Sequence, residues 1–234
     1  MSPISQLSRA PRGLAACFAL LLAACAPQVA RPPEALPGAP ESFPEAEYRQ
    51  IATQGRPVFR VDETRSLVAI EVNRGGSLAR MGHDHVIAAH RVQGLIAPDD
   101  KRADLYLRLD DLVVDEPELR AEARLTSHPS ADDIAGTRHN MLNAFEAERY
   151  PFAIVHIEAN GEEAWRAGFS LHGVTRTLEL PARIDVSGDE MKITGNLALS
   201  QTDFGIRPVS VLGGALVVVD EVAVRFSIRA RRVR

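Results

Sequence analysis

The stretch AGFSLHGVTRTLELPARI, residues 167–184, predicts the architecture of this chain. Apolar side chains alternate with polar ones before and after its central HGVT: Trp165, Ala167, Phe169 and Leu171 on one side, and Leu178, Leu180, Ala182, Ile184 and Val186 on the other. Alternation with a period of two residues places the apolar side chains on one face of a strand. Gly173 and Thr175 are typical of a turn. The stretch therefore predicts strands joined by short turns, each with one apolar face.

The same alternation continues toward the C-terminus. After the turn-like SGDE it returns in Met191, Ile193, Leu197 and Leu199, and again in Val222, Val224, Phe226 and Ile228. Successive strands joined by short turns pair antiparallel, and one apolar face per strand indicates a sandwich or a closed barrel. We therefore expect an all-β domain with one or two short helices.

Both expected helices lie between the early and late strands, where they could cover an open end of a barrel. In residues 130–147, Ser130 and Asp133 form a capping box. One helical stripe then carries Ile134, Met141, Leu142 and Phe145. A shorter helix is predicted from Pro117, with Asp115 as its cap.

The first 24 residues have the pattern of a signal peptide, because Arg9 and Arg12 precede a short apolar run. That run ends in LAAC at Cys25, which resembles a bacterial lipobox, where the chain is cut before an acylated cysteine. Ala26 stands where an Asp would favour the inner membrane. We expect Cys25 to anchor the protein in the outer membrane of the bacterial cell envelope, facing the periplasm. An ordinary secretory signal with a chance cysteine is the alternative.

The mature chain divides into a tether and one domain. Residues 25–49 are rich in proline and small residues and predict an extended, semi-rigid tether. Residues 50–234 have the length of a single domain. Cys17 leaves with the signal peptide, so no intrachain disulfide is expected. The formal net charge of −4 argues against nucleic acid as a partner.

The segment RMGHDHVIAAH, residues 80–90, holds three histidines and an aspartate in an apolar run. If residues 86–96 form one strand, the face that carries His90 also carries Val86, Ala88 and Val92, while His83 and His85 lie on the opposite face. One register therefore cannot converge all three histidines. The interpretations are a polar, hydrogen-bonding rim, a divalent-metal site formed by His83, His85 and His90, or acid–base catalysis. No Gly-x-Ser-x-Gly elbow and no phosphate-binding glycine loop accompany them, so we expect no enzyme.

Three segments resemble the YceI-like family of periplasmic lipid-binding proteins. They are AERYPFAIVHIEA (147–159), AGFSLHGVTRTLELPARI (167–184) and GNLALSQTDFGI (195–206), and they occur in the family's order. The resemblance implies a lipocalin-like antiparallel β-barrel enclosing a long apolar tunnel that holds an isoprenoid or another amphiphilic chain. One departure is Arg65, which stands where family members commonly have the first histidine of an early His-rich pattern.

This resemblance implies a membrane-anchored, non-catalytic binding protein for a polyisoprenoid, quinone or fatty acid derivative, with no required cofactor. Aromatic residues make up only 5% of the chain, so aliphatic side chains would line the tunnel. The candidate ligand-binding residues are His83, His85, Val86, Ala88, His90, Val92, Phe169, Leu171 and Phe204. A metal-handling barrel and a structural envelope protein with a filled interior are the alternatives. The sequence leaves open whether the barrel is a monomer or a homodimer.

Overall fold

The computed structural model describes residues 38–159 and 165–233. The expected signal peptide, Cys25 and most of the expected tether lie outside the described residues. The three helices are α1 (Glu45–Thr53), α2 (Pro117–Glu122) and α3 (Ala131–Ala144). The strands are β1 (Phe59–Val61), β2 (Leu67–Val72), β3 (Arg74–Gly75), β4 (His85–Ala89), β5 (Gln93–Ala97), β6 (Arg102–Arg108), β7 (Val113–Val114), β8 (Phe152–Ala159), β9 (Trp165–Leu171), β10 (Val174–Leu180), β11 (Ala182–Ser187), β12 (Glu190–Ser200), β13 (Ser210–Val211), β14 (Leu216–Val218) and β15 (Glu221–Arg232).

Twelve of these strands form one large antiparallel sheet, and β3, β13 and β14 form a small second one. The long strand β15 organises the large sheet. β12 pairs along one of its edges, while β1 and β2 share the other edge. From β1 the order continues through β5, β6, β8 and β9 to β10. The result is the mostly antiparallel β architecture that the alternation predicted.

In the described part of the chain, side-chain hydrogen bonds rather than a backbone ladder link β10, at one end of this sheet, to the turn that follows β12. A 3-10 turn, Gln201–Phe204, follows β12 and packs against β10. The Nε of Arg176 in β10 donates to the Asp203 carbonyl at 2.7 Å, and the Nδ1 of His172 lies 3.2 Å from the Phe204 carbonyl. These contacts bring β10 toward β12, so the sheet curls round an apolar interior.

The β9–β10 hairpin has the tight turn that HGVT predicted. Leu171 pairs with Val174, and the two residues between them, His172 and Gly173, have φ of 53° and 74°. Two successive positive φ values define a type I′ turn, whose twist matches that of the flanking strands. His172 is therefore a turn residue whose imidazole also binds the turn after β12.

Helix α3 confirms the capping box and the apolar stripe read from the sequence. The Ser130 Oγ accepts from the Asp133 backbone N–H, and the Asp133 carboxylate accepts from the Ser130 N–H at 2.8 Å. Met141 is buried, and the other three stripe residues pack partly buried against the same core. The helix therefore covers the interior of the curled sheet with one face.

The structure corrects four boundaries. The expected strand over residues 86–96 breaks into β4 and β5, with residues 90–92 connecting them. The alternation from Leu178 to Val186 breaks at Pro181, which has no N–H for a ladder. The N-cap position of α2 is Glu116, whose side chain makes no capping hydrogen bond, and the carboxylate of Asp115 accepts from other donors.

The fourth correction is helix α1, which begins at Glu45, inside the segment expected to be extended up to residue 49. Tyr48, Ile51 and Ala52 lie on one helical face and are buried against β5 and β6. The Tyr48 hydroxyl also donates to the buried Asp104 at 2.7 Å. The proline-rich composition around it concealed this short stripe. Within the described residues, none of the three helices is long and apolar enough to cross a bilayer.

Candidate functional site

One end of the curled sheet holds a cavity of about 470 Å³. This volume lies in the range of about 300–1,000 Å³ that is typical of small-molecule sites. Alternate residues of four strands supply its apolar wall, and helix α3 and β14 cover it. The strand residues that contribute are Ile70 and Val72, Ile87, Leu199, and Val222 and Val224. Their alternation explains the wall, because every second side chain of a strand faces the same side.

The opposite end of the interior is filled. Ile96, Ile157, Met191, Ile193 and Ile228 are each at most 8% exposed and pack into one core cluster, and none of them lines the cavity. The resemblance implied a long tunnel, whereas the structure has a cavity at one end. The physical reason is the bulk of these side chains, which occupy the space between the facing strands.

The mouth of the cavity has a polar side, where the segment that leads into β4 faces α3. Among the residues that line it are His83, His85, Arg74, Thr137 and Asn140. His83 and His85 lie near each other, with ring centroids 6.2 Å apart. Strand β3, the segment that leads into β4, and helix α3 bring these groups together. An apolar wall with a few polar groups at one end suits an amphiphilic molecule.

His85 belongs to a buried ionic network. Its Nδ1 donates to Asp115 Oδ2 at 2.6 Å, and the Asp115 carboxylate is fully buried. Arg120 Nη1 donates to Asp115 Oδ1 at 2.5 Å, and the Val86 N–H donates to the same oxygen at 3.0 Å. Burial alone would raise the pKa of Asp115, but the hydrogen bonds from His85, Val86 and Arg120 outweigh it and lower the pKa. Asp115 is therefore a carboxylate that fixes the orientation of the His85 ring.

His83 is less constrained than His85. Its Nε2 lies 3.7 Å from Asp133 Oδ2, beyond hydrogen-bonding distance. Its Nδ1 is a buried atom for which the described part of the chain supplies no hydrogen-bond partner. Hydrogen bonds from Ser130 lower the pKa of Asp133. The mouth thus presents a histidine beside an ionised carboxylate.

The structure brings four of the candidate ligand-binding residues to the cavity. His83, His85, Leu171 and Phe204 line it. Phe204 is 2% exposed and precedes Gly205, which has a φ of 73°, so the chain bends there. The imidazole of His172 contacts the Phe204 carbonyl and, through Nε2, Glu146 at 3.1 Å. The turn after β12 is therefore tied to the end of α3.

The other five candidates lie elsewhere. Val86 and Ala88 face the outer side of the sheet and pack against Leu119 of α2. Val92 and Phe169 belong to the core cluster without lining the cavity. The side chain of His90 is 47% exposed and pairs with Glu116 at 2.7 Å. Because β4 ends at Ala89, His90 has left the sheet and lies apart from the other two histidines.

The three histidines of the predicted metal site do not lie together. His83 and His85 lie at the mouth of the cavity and His90 does not. Over residues 38–159 and 165–233, no group of three or more His, Cys, Asp or Glu side chains is arranged to hold a metal ion. Structural zinc sites have four protein ligands and catalytic ones three.

Sequence reasoning missed several residues of the site. The strand residues Ile70, Val72, Val222 and Val224 carried a signal, because they follow the period-2 alternation. Asp115, Arg120 and Thr137 carried none. Asp115 and Thr137 contact His85 across 30 and 52 residues of chain, and Arg120 acts on it only through Asp115.

Comparisons with known proteins agree with this architecture. The chain is similar in structure to a polyisoprenoid binding domain from Saccharophagus degradans implicated in plant cell wall breakdown, with a TM-score of 0.55 and 17% identity over 74% of this chain and 97% of that one. It also matches Burkholderia cenocepacia BcnA, with a TM-score of 0.44 and 14% identity over 72% of this chain and 98% of that one. A Campylobacter jejuni YceI protein matches with a TM-score of 0.38 and 14% identity over 56% of this chain and 72% of that one.

At these identities the structural likeness bears on the fold alone, and the first neighbour carries that argument. No curated protein gave a significant match. The family comparison is more extensive. Residues 60–230 match the YceI-like domain, and this range includes the cavity and all of the large sheet except the first residue of β1 and the last two residues of β15. This chain therefore belongs to the YceI-like family, as the motifs at residues 147–206 predicted.

Proposed function

We propose that this protein binds a long apolar or amphiphilic molecule, a polyisoprenoid or a similar chain, in the cavity beneath α3. The observation that carries the proposal is the aliphatic wall that alternate residues of β2, β4, β12 and β15 present to one cavity. Burying a chain against such a wall contributes about 0.8 kcal/mol for each CH₂ group. The Saccharophagus degradans neighbour is a polyisoprenoid binding domain, which supports the same class of ligand.

The size and opening of the cavity define how a chain would lie. A volume of about 470 Å³ accommodates part of a long chain, while the filled opposite end stops it from running through the domain. At the mouth, Met81 and Val211 line the cavity and are 62% and 43% exposed. A longer chain would leave the cavity across these apolar side chains.

We infer a binding role without chemistry, at the membrane surface. The lipobox at Cys25 supports anchoring through acylation, since several acyl chains hold a protein to a bilayer far more firmly than one. From that anchor the cavity would receive its ligand from the adjacent bilayer, and the protein would act as a carrier or a store.

The experiment is native mass spectrometry on the unlipidated variant Cys25→Ala, purified without detergent or chelator. The full mature chain is required, because a domain that begins at residue 50 would cut α1 in the middle. We expect an added mass that extracts into organic solvent, together with uptake of added farnesol. Protein that neither retains an apolar molecule nor takes one up would refute the proposal.

A matched pair of variants places the ligand. Val72→Trp fills the cavity from β2 and is expected to abolish uptake, whereas Val186→Trp on β11, 57% exposed, is expected to leave it unchanged. Equal uptake by both variants would locate the ligand elsewhere. An added transition-metal mass that disappears in the His83→Ala plus His85→Ala double variant would instead support the metal hypothesis.

A further inference from the structure

At the polar end of the cavity, a buried carboxylate determines the tautomer of the His85 imidazole and leaves its Nε2 as a hydrogen-bond acceptor. Asp115 is ionised and fully buried, and it accepts the Nδ1–H of His85 at 2.6 Å. In the neutral imidazole the proton then lies on Nδ1, and Nε2 carries a lone pair. The His85 side chain is only 13% exposed, so this nitrogen has little freedom to turn away.

Thr137 of α3 stands opposite that nitrogen. Its Oγ1 lies 3.3 Å from His85 Nε2, at the long end of the hydrogen-bond range, and both side chains line the cavity. A hydroxyl group both donates and accepts. A ligand hydroxyl placed here would donate to His85 Nε2 and accept from the Thr137 hydroxyl. An ether or a ketone has no proton for Nε2.

The charges around the mouth disfavour an anion. Arg74 is the sole Lys or Arg among the described residues that line the cavity. Its guanidinium already donates to the Gly82 carbonyl and lies 3.8 Å from the Asp84 carboxylate. Two carboxylates, Asp132 and Asp133, line the same mouth. A phosphate group would therefore meet like charges and an arginine that already has partners.

We infer that the ligand of this cavity ends in an uncharged hydroxyl group, as a long-chain alcohol does, and not in a phosphate ester. His85 and Thr137 recognise the hydroxyl, and the Asp115–Arg120 pair holds His85 in the accepting tautomer. This inference rests on the proposed function, and it adds the chemistry of the headgroup to that of the chain.

Three probes that share the farnesyl chain distinguish a hydroxyl headgroup from an ether and from a phosphate. Farnesol, farnesyl methyl ether and farnesyl monophosphate are titrated calorimetrically into the Cys25→Ala protein at about pH 8, above the value of about 6.5 for free imidazole. We expect farnesol to bind roughly three- to tenfold more tightly than the ether, which is the net effect of one hydrogen bond. The monophosphate should bind at least roughly tenfold more weakly than farnesol.

His85→Phe tests the residue, and His139→Phe, an exposed histidine on α3 outside the cavity lining, is its matched control. We expect the preference for alcohol over ether to disappear in the first variant and to persist in the second. NMR on the protein that keeps His85 needs no further variant to fold. The ¹⁵N resonance of His85 Nε2 should have the chemical shift of an unprotonated nitrogen. It should move on addition of farnesol but not on addition of the ether.

The outcomes distinguish the two proposals. Equal binding of alcohol and ether, tightest binding of the monophosphate, or a protonated Nε2 in the free protein would overturn the headgroup inference while the binding function stands. If none of the three probes binds, the proposed function fails and the inference fails with it.

Discussion

Replacing Asp115 by asparagine should remove a large part of the stability of this protein. The carboxylate is fully buried and accepts three hydrogen bonds, from the Val86 N–H, Arg120 Nη1 and His85 Nδ1. Asparagine keeps the shape, but it removes the charge and turns one acceptor into a donor that faces another donor. The Arg120 side chain, 10% exposed, then stays buried without its counter-charge.

Breaking one partner of a buried ion pair in this way costs about 3–5 kcal/mol. Natural domains have a free energy of unfolding of about 5–15 kcal/mol, so the variant should be only marginally folded. The assay is urea unfolding followed by circular dichroism. With a slope of about 2 kcal/mol per molar urea, the midpoint should fall by about 1.5–2.5 M.

The control is Asp185→Asn, because that carboxylate pairs with Arg183 on the surface and is 52% exposed. Exposed pairs contribute about 0–1 kcal/mol, so its midpoint should barely move. A loss below about 1 kcal/mol for Asp115→Asn would show that the network does not hold His85 as we argue.

The pH dependence of this effect follows from the pKa shift. Burial acts to raise the pKa of Asp115, but its hydrogen bonds outweigh burial and lower it. A lowered pKa means that the stabilisation is present above the unfolded-state value of about 3.9 and is lost as the pH falls through the folded-state value. The difference in stability between the wild type and Asp115→Asn should therefore shrink below about pH 4.

Three further predictions concern the turns, helix α3 and the outer face of the sheet. Gly173→Ala should lower the free energy of unfolding, measured in urea, by at least about 1 kcal/mol more than Gly188→Ala. Both positions have positive φ, but only at 173 would a new Cβ meet a tyrosine ring, 2.6 Å away, and equal losses would contradict this geometry. Ser130→Ala should lower the free energy of unfolding by about 1 kcal/mol through loss of the capping box, and an unchanged urea midpoint would show that the cap is not formed. Burial acts to lower the pKa of His156, but the pairing of this histidine with Asp104 outweighs burial and raises the pKa. The pair therefore stabilises the fold below about pH 6.5, and the stabilisation is lost as the pH rises through the raised pKa. Asp104→Asn should lower the pKa of His156 in an NMR titration, and a pKa that stays in place would exclude the pairing as its cause.

Much of the fold was predictable because its determinants are local. The alternation around residues 167–184 defined strands with one apolar face, and the tight turn between β9 and β10 followed from HGVT. The capping box at Ser130 marked the start of α3. Helix α1 was missed because its apolar stripe is one turn long and stands in a proline-rich context. Pro181 interrupts the alternation where β10 ends and β11 begins. The break after Ala89 also changed which side chains share a face, because Val86 and Ala88 pack under α2 whereas Val92 belongs to the inner core cluster.

The sequence by itself determined an antiparallel β domain of the YceI-like family and the two faces of each strand. Only the tertiary structure decided what covers each face. In β4 both faces are apolar, yet Val86 and Ala88 pack beneath α2, while His85 and Ile87 border the cavity. Asp115 reaches His85 across 30 residues of chain, and its role depends on burial that no local pattern encodes. Alternation is a property of one strand, so the sequence specifies which side chains of that strand lie on the same face. A cavity is a property of the space between several strands, and its position depends on how their side chains fill that space.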